Sequence, residues 1–210
     1  MSRRCFRLPA RAPLRAWLTS GFLFSLFLAM HDMLVRLCRL PDAAGLYAQL
    51  AEQGVRVRRC NPFEAHILEA WVGRNFSARW VNEARVAMSH QPSGCMIATR
   101  EGRIIAFACY DATARGFVGP MGVQDDCRGA GVGKAVLLAA LEQMRALGYV
   151  YDIIGGVGPA DFYKKAVGAT DIEDSAPGIY EDILPEILSF FHRIRLFTLT
   201  RPSNPDKLLT

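Results

Sequence analysis

The chain has little with which to hold a metal or a redox disulfide. Its six cysteines (Cys5, Cys38, Cys60, Cys95, Cys109, Cys127) include no Cys-x-x-Cys pair, and none of the four histidines stands at metal-ligand spacing from them. No metal is expected. Several cysteines fall within apolar runs, as reduced buried thiols do, which fits a reducing cytoplasm; their even number leaves disulfides open. A Walker-type phosphate loop is missing as well. It needs glycine where Arg128 stands and Ser or Thr where Ala135 stands. A dinucleotide fingerprint begun at Gly129 meets Lys134 in place of its last glycine, and the next strand shows no evident ribose-binding acid. No apolar run reaches the roughly 20 residues that a membrane-spanning helix needs. There is no internal repeat and no low-complexity segment. An excess of positive charge is absent from the body of the chain too. The formal +5 comes from the ends: seven Arg against one Asp over residues 1–40, and four basic against two acidic over 185–210, leaving −3 for 41–184. A nucleic-acid partner is therefore not expected.

What the chain does have is a phosphate-binding design between Met121 and Gly148. A strand-like run (Met121, Gly122, Val123) leads through a polar turn into Gly129-Ala130-Gly131-Val132-Gly133 and then an amphipathic helix, with Leu137, Ala140, Leu141 and Met144 on one face. Glycines take positive φ and let phosphate oxygens approach the peptide plane. The helix start that follows offers unpaired N–H groups and about half a unit of positive charge. Lys134 in the first turn is poorly placed for that dipole unless an anion sits nearby. Downstream, Val150 to Val157 reads as a buried strand ending at glycines, and Pro159 opens a short helix with Phe162, Tyr163, Lys164, Lys165 and Gly168.

Arg128-x-x-Gly131-x-Gly133 between a strand and a helix resembles the pyrophosphate-binding motif of the GNAT superfamily of N-acetyltransferases, written Arg/Gln-x-x-Gly-x-Gly/Ala. Phe162-Tyr163-x-Lys165-x-x-Gly168 after the next strand resembles the second GNAT motif. The resemblance, to a bacterial-type member, covers roughly Leu40 to Leu184. It implies an α/β (α+β) fold: a mixed, mostly antiparallel central sheet of about six to seven strands flanked by helices, with a splayed parallel pair at the cofactor site. It implies acetyl-coenzyme A as cosubstrate, its diphosphate on Arg128, Gly129, Ala130, Gly131, Val132, Gly133 and Lys134. The pantetheine arm would pair with main chain along Met121, Gly122 and Val123, where an N–H near Val123 would polarise the thioester carbonyl. Tyr163 would be the acid that protonates the departing thiolate. The acceptor would be a small-molecule or peptide amine, with Trp71, Phe76, Arg79, Trp80 and Glu83 near its entry. The general base is left open among Glu64, Glu69, Glu83, His90, Asp111, Tyr110 and a water chain. One departure stands out: many members carry an asparagine six or seven residues before the tyrosine, where this chain has Val157 and Gly156. Backbone contacts from Gly155 to Pro159 are the expected substitute. The alternative functions are a non-catalytic acyl-coenzyme A binding module and a membrane-anchored protein of unknown role.

Read in order, residues 1–40 form a basic and apolar extension expected outside the fold, residues 41–184 the GNAT domain, and 185–210 a tail. The arginine-rich start and the apolar run from Trp17 to Met30 leave three readings: an upstream start codon, an interfacial anchor, or a cleaved signal. Met30 and Met33 are alternative starts, since Met-Leu-Val-Arg-Leu runs straight into the domain. No membrane partner is expected unless the anchor is real; a homodimer is open. Pro41 to Gln53 is expected to be helical and Val55 to Arg59 a half-exposed strand. Asn61-Pro62-Phe63-Glu64 reads as a capped helix start with Phe63, Ile67, Ala70 and Trp71 on one face. A second helix follows Ser77, and Cys95–Thr99 pairs with Ile104–Asp111 about the turn Glu101-Gly102-Arg103. Pro120 suggests a bulge or a sheet edge in Phe117–Val123. Ala169 to Glu173 and Gly178 to Ile183 are expected to close the sheet.

Overall fold

The structure, a computed structural model, describes residues 31–184. In chain order these form β1 (Met33–Arg36), α1 (Ala44–Glu52), β2 (Val55–Arg59), α2 (Ala65–Asn75), α3 (Ala78–Ser89), β3 (Cys95–Arg100), β4 (Arg103–Tyr110), β5 (Phe117–Val123), α4 (Val132–Ala146), β6 (Tyr151–Ile154), α5 (Ala160–Val167) and β7 (Thr170–Asp171). The strands make one sheet in the order β2-β3-β4-β5-β6-β1-β7. Every neighbouring pair is antiparallel except β5 and β6. The α/β fold is thus the mixed, mostly antiparallel sheet flanked by helices that the sequence implied.

Local chemistry explains most of the elements. Glu101 and Gly102 both take positive φ, the conformation of a two-residue hairpin turn, and join β3 to β4. Asn61 and Glu64 form a reciprocal capping box around Pro62, and Ser77 caps α3 by accepting from the Trp80 amide. On one face of the sheet α4 buries Val132, Val136, Leu137, Leu138, Leu141 and Met144 against Met33, Val35 and Ile154. On the other, α2 and α3 bury Leu68, Trp71, Val72 and Met88 against Ile97, Ile104 and Phe107.

Four expectations are corrected. Residues 33–40, placed outside the fold from composition, are inside it: Met33, Val35 and Leu37 are fully buried, and β1 pairs with both β6 and β7. The arginine-rich average of residues 1–40 hid a short in-out alternation. The last stretch, Gly178 to Ile183, is no strand; Gly178–Tyr180 is a 3-10 turn, and β7 is only Thr170–Asp171. The predicted face of α2 is out of phase, since Phe63 and Ile67 are 75% and 50% exposed. Phe63 belongs to the 3-10 turn Pro62–Glu64, whose three-residue period shifts a helical count begun there. The strand read as Val150 to Val157 is limited to Tyr151–Ile154.

Contacts divide the chain into two units, Met1–Gly178 and Ile179–Thr210; of the second, residues 179–184 are described. The expected apolar anchor or signal and the C-terminal tail lie outside the described residues. Among the described residues no helix is long and apolar enough to cross a membrane. The five cysteines there are free thiols, four of them buried.

One residue works against the fold. Asp152, in the middle of β6 opposite Val35, is fully buried and neither carboxyl oxygen has a hydrogen-bond partner. Burial, and after it the charge of Asp111, hold this carboxyl well above the usual carboxylate range; the Ile153 amide opposes the shift without reaching hydrogen-bond geometry. Because the folded state keeps the proton that the unfolded chain releases near pH ~4, stability is full below that pH and falls as the pH rises toward the raised folded value. The slope from this one group reaches about 1.4 kcal/mol per pH unit. Asp152→Asn should therefore raise Tm at pH 7 and flatten the decline between pH 4 and 7. Melting curves that superimpose on the unsubstituted protein at both pH values would refute this account.

Candidate active site

The site begins where β5 leaves β6. Between the pairs Ala108↔Met121 and Tyr110↔Val118 the ladder advances two residues on β4 and three on β5, so β5 carries a bulge at Gly119–Pro120. The expected bulge is present, but β5 is an interior strand and not an edge. Before the bulge, Gly116 faces β6, where its carbonyl accepts from the Ile153 amide at 2.8 Å. After it, the Gln124 amide donates to the Ile105 carbonyl at 2.9 Å. Alternation along the ladder then turns Gly122 toward β4, and turns the main-chain groups of Met121 and Val123 toward β6. Among the described residues no strand meets them. β6 pairs only through Ile153 and Ile154, and the next rung of a parallel ladder would need an amide at residue 120, which proline lacks.

The gap leads to the start of α4. Gly131 is its N-cap at φ +84°, Gly129 shares that φ, and no side chain caps the helix. The first-turn amides are thus free donors facing the exposed loop Arg128–Ala130. Packing also fixes the glycines. A Cβ on Gly131 would lie 3.0 Å from Leu46 of α1, and one on Gly133 would lie 3.0 Å from Val123 and 3.8 Å from the Phe162 ring. Arg128 pairs with Asp125 at 2.8 Å on the exposed surface. Cys127, beside the loop, is held above its ordinary thiol range by burial first and Asp126 second, so it is a poor nucleophile.

Across the gap stands α5. Phe162 touches the Gly133 position, and the ring of Tyr163 lies 5.1 Å from that of Phe162, edge to face. Tyr163 is buried, its hydroxyl makes no hydrogen bond to another described residue, and burial pushes it up to about 12. The residues read from sequence thus lie on three elements that meet at Gly133: Met121, Gly122 and Val123 on β5, Gly129 to Lys134 at the start of α4, and Tyr163 on α5 next to Phe162. Phe162 was not singled out as a site residue, although it lies in the same motif. The glycine segment expected to touch the cofactor behaves differently. The Gly156 amide donates to Asp32 Oδ1 at 2.8 Å and the Val157 amide to the His31 carbonyl at 2.9 Å, so neither is free.

The third wall is aromatic. Phe76 lies directly on Gly122, where an added Cβ would come within 2.3 Å of the ring. Trp71, Trp80 and Phe107 surround it with centroids 4.9 to 6.1 Å apart. Further along α3, Glu83 accepts from the Thr113 hydroxyl at 2.5 Å. The other acid–base candidates are committed elsewhere. Glu64 takes both terminal nitrogens of Arg58 at 2.6 and 2.7 Å and the Asn61 amide; the Arg58 contact above all lowers its carboxyl to about 2. Glu69 pairs with Arg85, Asp111 accepts from Tyr149 and Gly116, and the Tyr110 hydroxyl accepts from Arg59. His90 lines a separate 360 Å³ cavity with Arg59, Asp111 and Tyr149. Among the described residues no group of three or more His, Cys, Asp or Glu could hold a metal ion.

The profile of the acetyltransferase (GNAT) family matches residues 58–168, more than half of the chain. The chain belongs to the GNAT acetyltransferase family. Solved structures agree on the fold. A GCN5-related glucosamine N-acetyltransferase region from a fungal multi-domain GH3 β-N-acetylglucosaminidase aligns at a TM-score of 0.57 and 17% identity, covering 77% of this chain and 22% of that one. A GCN5-related N-acetyltransferase from Sphaerobacter thermophilus aligns at 0.55 and 20%, covering 68% of this chain and 48% of that one. This chain thus spans about a fifth and about half of those two. No curated protein matches it. At these identities the likeness speaks for the GNAT fold and not for a substrate.

In this GNAT domain Gly122 is fixed by packing. Gly122→Ala should displace Phe76 and cost about 1–3 kcal/mol, the usual range for overpacking. Denaturant unfolding checks it; a loss below about 0.5 kcal/mol would mean that Phe76 does not rest on the strand.

Proposed function

We propose that the protein transfers the acetyl group of acetyl-coenzyme A to a primary amine by direct attack. The observation that carries this reading is the gap between β5 and β6, lined by the free main-chain groups of Met121 and Val123 and ending at the uncapped start of α4. A slot with strand-like hydrogen bonding along one side and an anion site at its end fits an extended amide-containing arm that carries a diphosphate. The glycines at 129, 131 and 133 leave room for that diphosphate, and Lys134 adds a positive charge in the first turn.

The thioester supplies the activated acetyl group. The chain's part is to hold it and its acceptor in line, which converts a bimolecular encounter into an oriented one. In this reading the amide near Val123 donates to the carbonyl oxygen as charge grows there. Tyr163 keeps its proton, because burial lifts it to about 12, and gives it to the departing sulfur. Phe76 and Trp80 form the acceptor wall, and Glu83, whose carboxylate has only the Thr113 hydroxyl as a partner among the described residues, holds the acceptor as its ammonium on arrival. The amine gives one proton to water and attacks in its neutral form, the C–S bond breaks as the C–N bond forms, and the second proton it sheds restores the Tyr163 phenol.

The test is an acceptor screen with acetyl-coenzyme A, read as free thiol, together with calorimetry of coenzyme A binding. Heat without turnover on any amine would favour a non-catalytic acyl-coenzyme A binding module; no heat would end the cofactor assignment. Tyr163→Phe should lower kcat about 100-fold, the lower range for a general acid, with coenzyme A affinity within a factor of two or three. An unchanged kcat removes Tyr163 from the chemistry. In the unsubstituted enzyme the alkaline side of the rate profile should show no loss from Tyr163 through pH 10, where an ordinary phenol is half ionised. Glu83→Gln should raise KM for the acceptor at least about 10-fold while leaving that for acetyl-coenzyme A unchanged, as loss of a charge-assisted contact predicts.

A further inference from the structure

The gap has two lips, and the second is held by the segment that enters the sheet. We propose that Asp32 is a positioning residue for acyl transfer: by capturing the Gly156 amide it turns the chain after β6 away from β5 and holds the slot open. The role rests on the acetyl-transfer reading above.

The lip on β5 is shaped by its own bulge and by Pro120. The lip on β6 has no such device in its own sequence. Gly155-Gly156-Val157-Gly158 is a flexible stretch, and in a regular continuation of β6, whose Ile153 amide faces β5, alternation would turn the Gly156 amide toward β1 and the Val157 amide toward the unpaired carbonyls of β5. Instead, two successive amides are taken from the opposite side. Gly156, at φ +55°, donates to Asp32 Oδ1 at 2.8 Å, and Val157 donates to the His31 carbonyl at 2.9 Å.

Asp32 is itself fixed from two directions. Its amide donates to Ser175 Oγ at 2.8 Å, its carbonyl accepts from the Ile172 amide at 3.0 Å, and the residue is 7% exposed. Ser175 in turn donates to the Ile172 carbonyl at 2.8 Å. A buried residue whose main chain is held this way cannot follow the loop; the loop must follow its side chain. The same segment reaches α5: His31 Nε2 meets Asp171 Oδ1 at 2.9 Å, and the other oxygen of Asp171 meets Lys164, next to Tyr163, at 2.7 Å. Residues 31 and 32 thus fix where β6 ends and steady the helix that carries Tyr163.

Two substitutions separate capture of the amide from bulk stability. Asp32→Ala removes the acceptor, whereas Asp32→Asn keeps an oxygen in place. With circular dichroism showing folded protein, Asp32→Ala should weaken coenzyme A binding and raise KM for acetyl-coenzyme A at least about 10-fold, a charge-assisted hydrogen bond's worth. Asp32→Asn should recover binding to within about threefold. A folded Asp32→Ala protein that binds coenzyme A normally overturns the role, as does an Asn variant no better than Ala. Should the Ala variant fail to fold, amide exchange of Gly156 in the unsubstituted protein decides. Slow exchange, unchanged by saturating coenzyme A, supports capture by Asp32; exchange at the free-peptide rate, or protection that arises only with coenzyme A, refutes it. An unsubstituted protein with neither binding heat nor turnover sinks the acetyl-transfer reading and this role with it. Normal wild-type binding beside an unaffected Asp32→Ala variant sinks the role of Asp32 alone.

Discussion

Two parallel strands that pair at one end and part at the other are the constraint on which the site depends. Adjacent strands stay together unless their hydrogen bonds are denied or redirected, and here both happen. The bulge at Gly119–Pro120 swaps which main-chain groups face β6, and Pro120 cannot supply the next rung. On the other strand, Gly156 and Val157 are drawn away by Asp32 and His31. What is left is a pair of strand residues, Met121 and Val123, with hydrogen-bonding capacity and no main-chain partner on that side among the described residues. An unpaired buried edge is costly in a protein with nothing to put there. It becomes useful where an amide-rich ligand completes it.

The rest of the architecture supports that opening. α4 runs from the glycine loop back under the sheet and is buried around most of its circumference, so its uncapped end is held still at the slot. α3 lies along β5 on the opposite face, with Phe76 over Gly122 and Glu83 at Thr113. The three glycines that matter most serve different needs: Gly131 takes a left-handed backbone, Gly133 clears Val123 and Phe162, and Gly122 clears Phe76. Replacing any one by alanine would disturb a different wall of the same cleft.

Much of this was legible in the sequence because it is local. The order strand, glycine turn, helix fixes the loop from Arg128 to Lys134 by backbone chemistry, and the capping box at Asn61 and the turn at Glu101-Gly102 are signals within four residues. Tyr163 follows from a short motif in a short helix. What could not be read depends on distant partners. Asp32 looks like an ordinary acid in an arginine-rich extension, and only the fold sets it against Gly156, 124 residues away. Asp152 sits in a run of β-branched and aromatic residues with no sign that it lacks a partner. The boundary at residue 41 failed because composition averaged over forty residues masks a four-residue strand. The phase of α2 failed because a 3-10 turn precedes it.

The position of β1 also bears on how the chain assembles. Although it is the first of the described strands, it lies between the last two of them, pairing with Tyr151–Ile154 on one side and Thr170–Asp171 on the other. Such pairings are strongly non-local, and domains rich in them pass their folding barrier slowly. During synthesis the buried face of β1, with Met33 and Val35, must wait until Thr170 and Asp171 emerge before the last of its described neighbours exists. The slot, which takes one lip from that same segment, is therefore completed only once the chain has emerged through Ser175, and the nascent domain is without it until then.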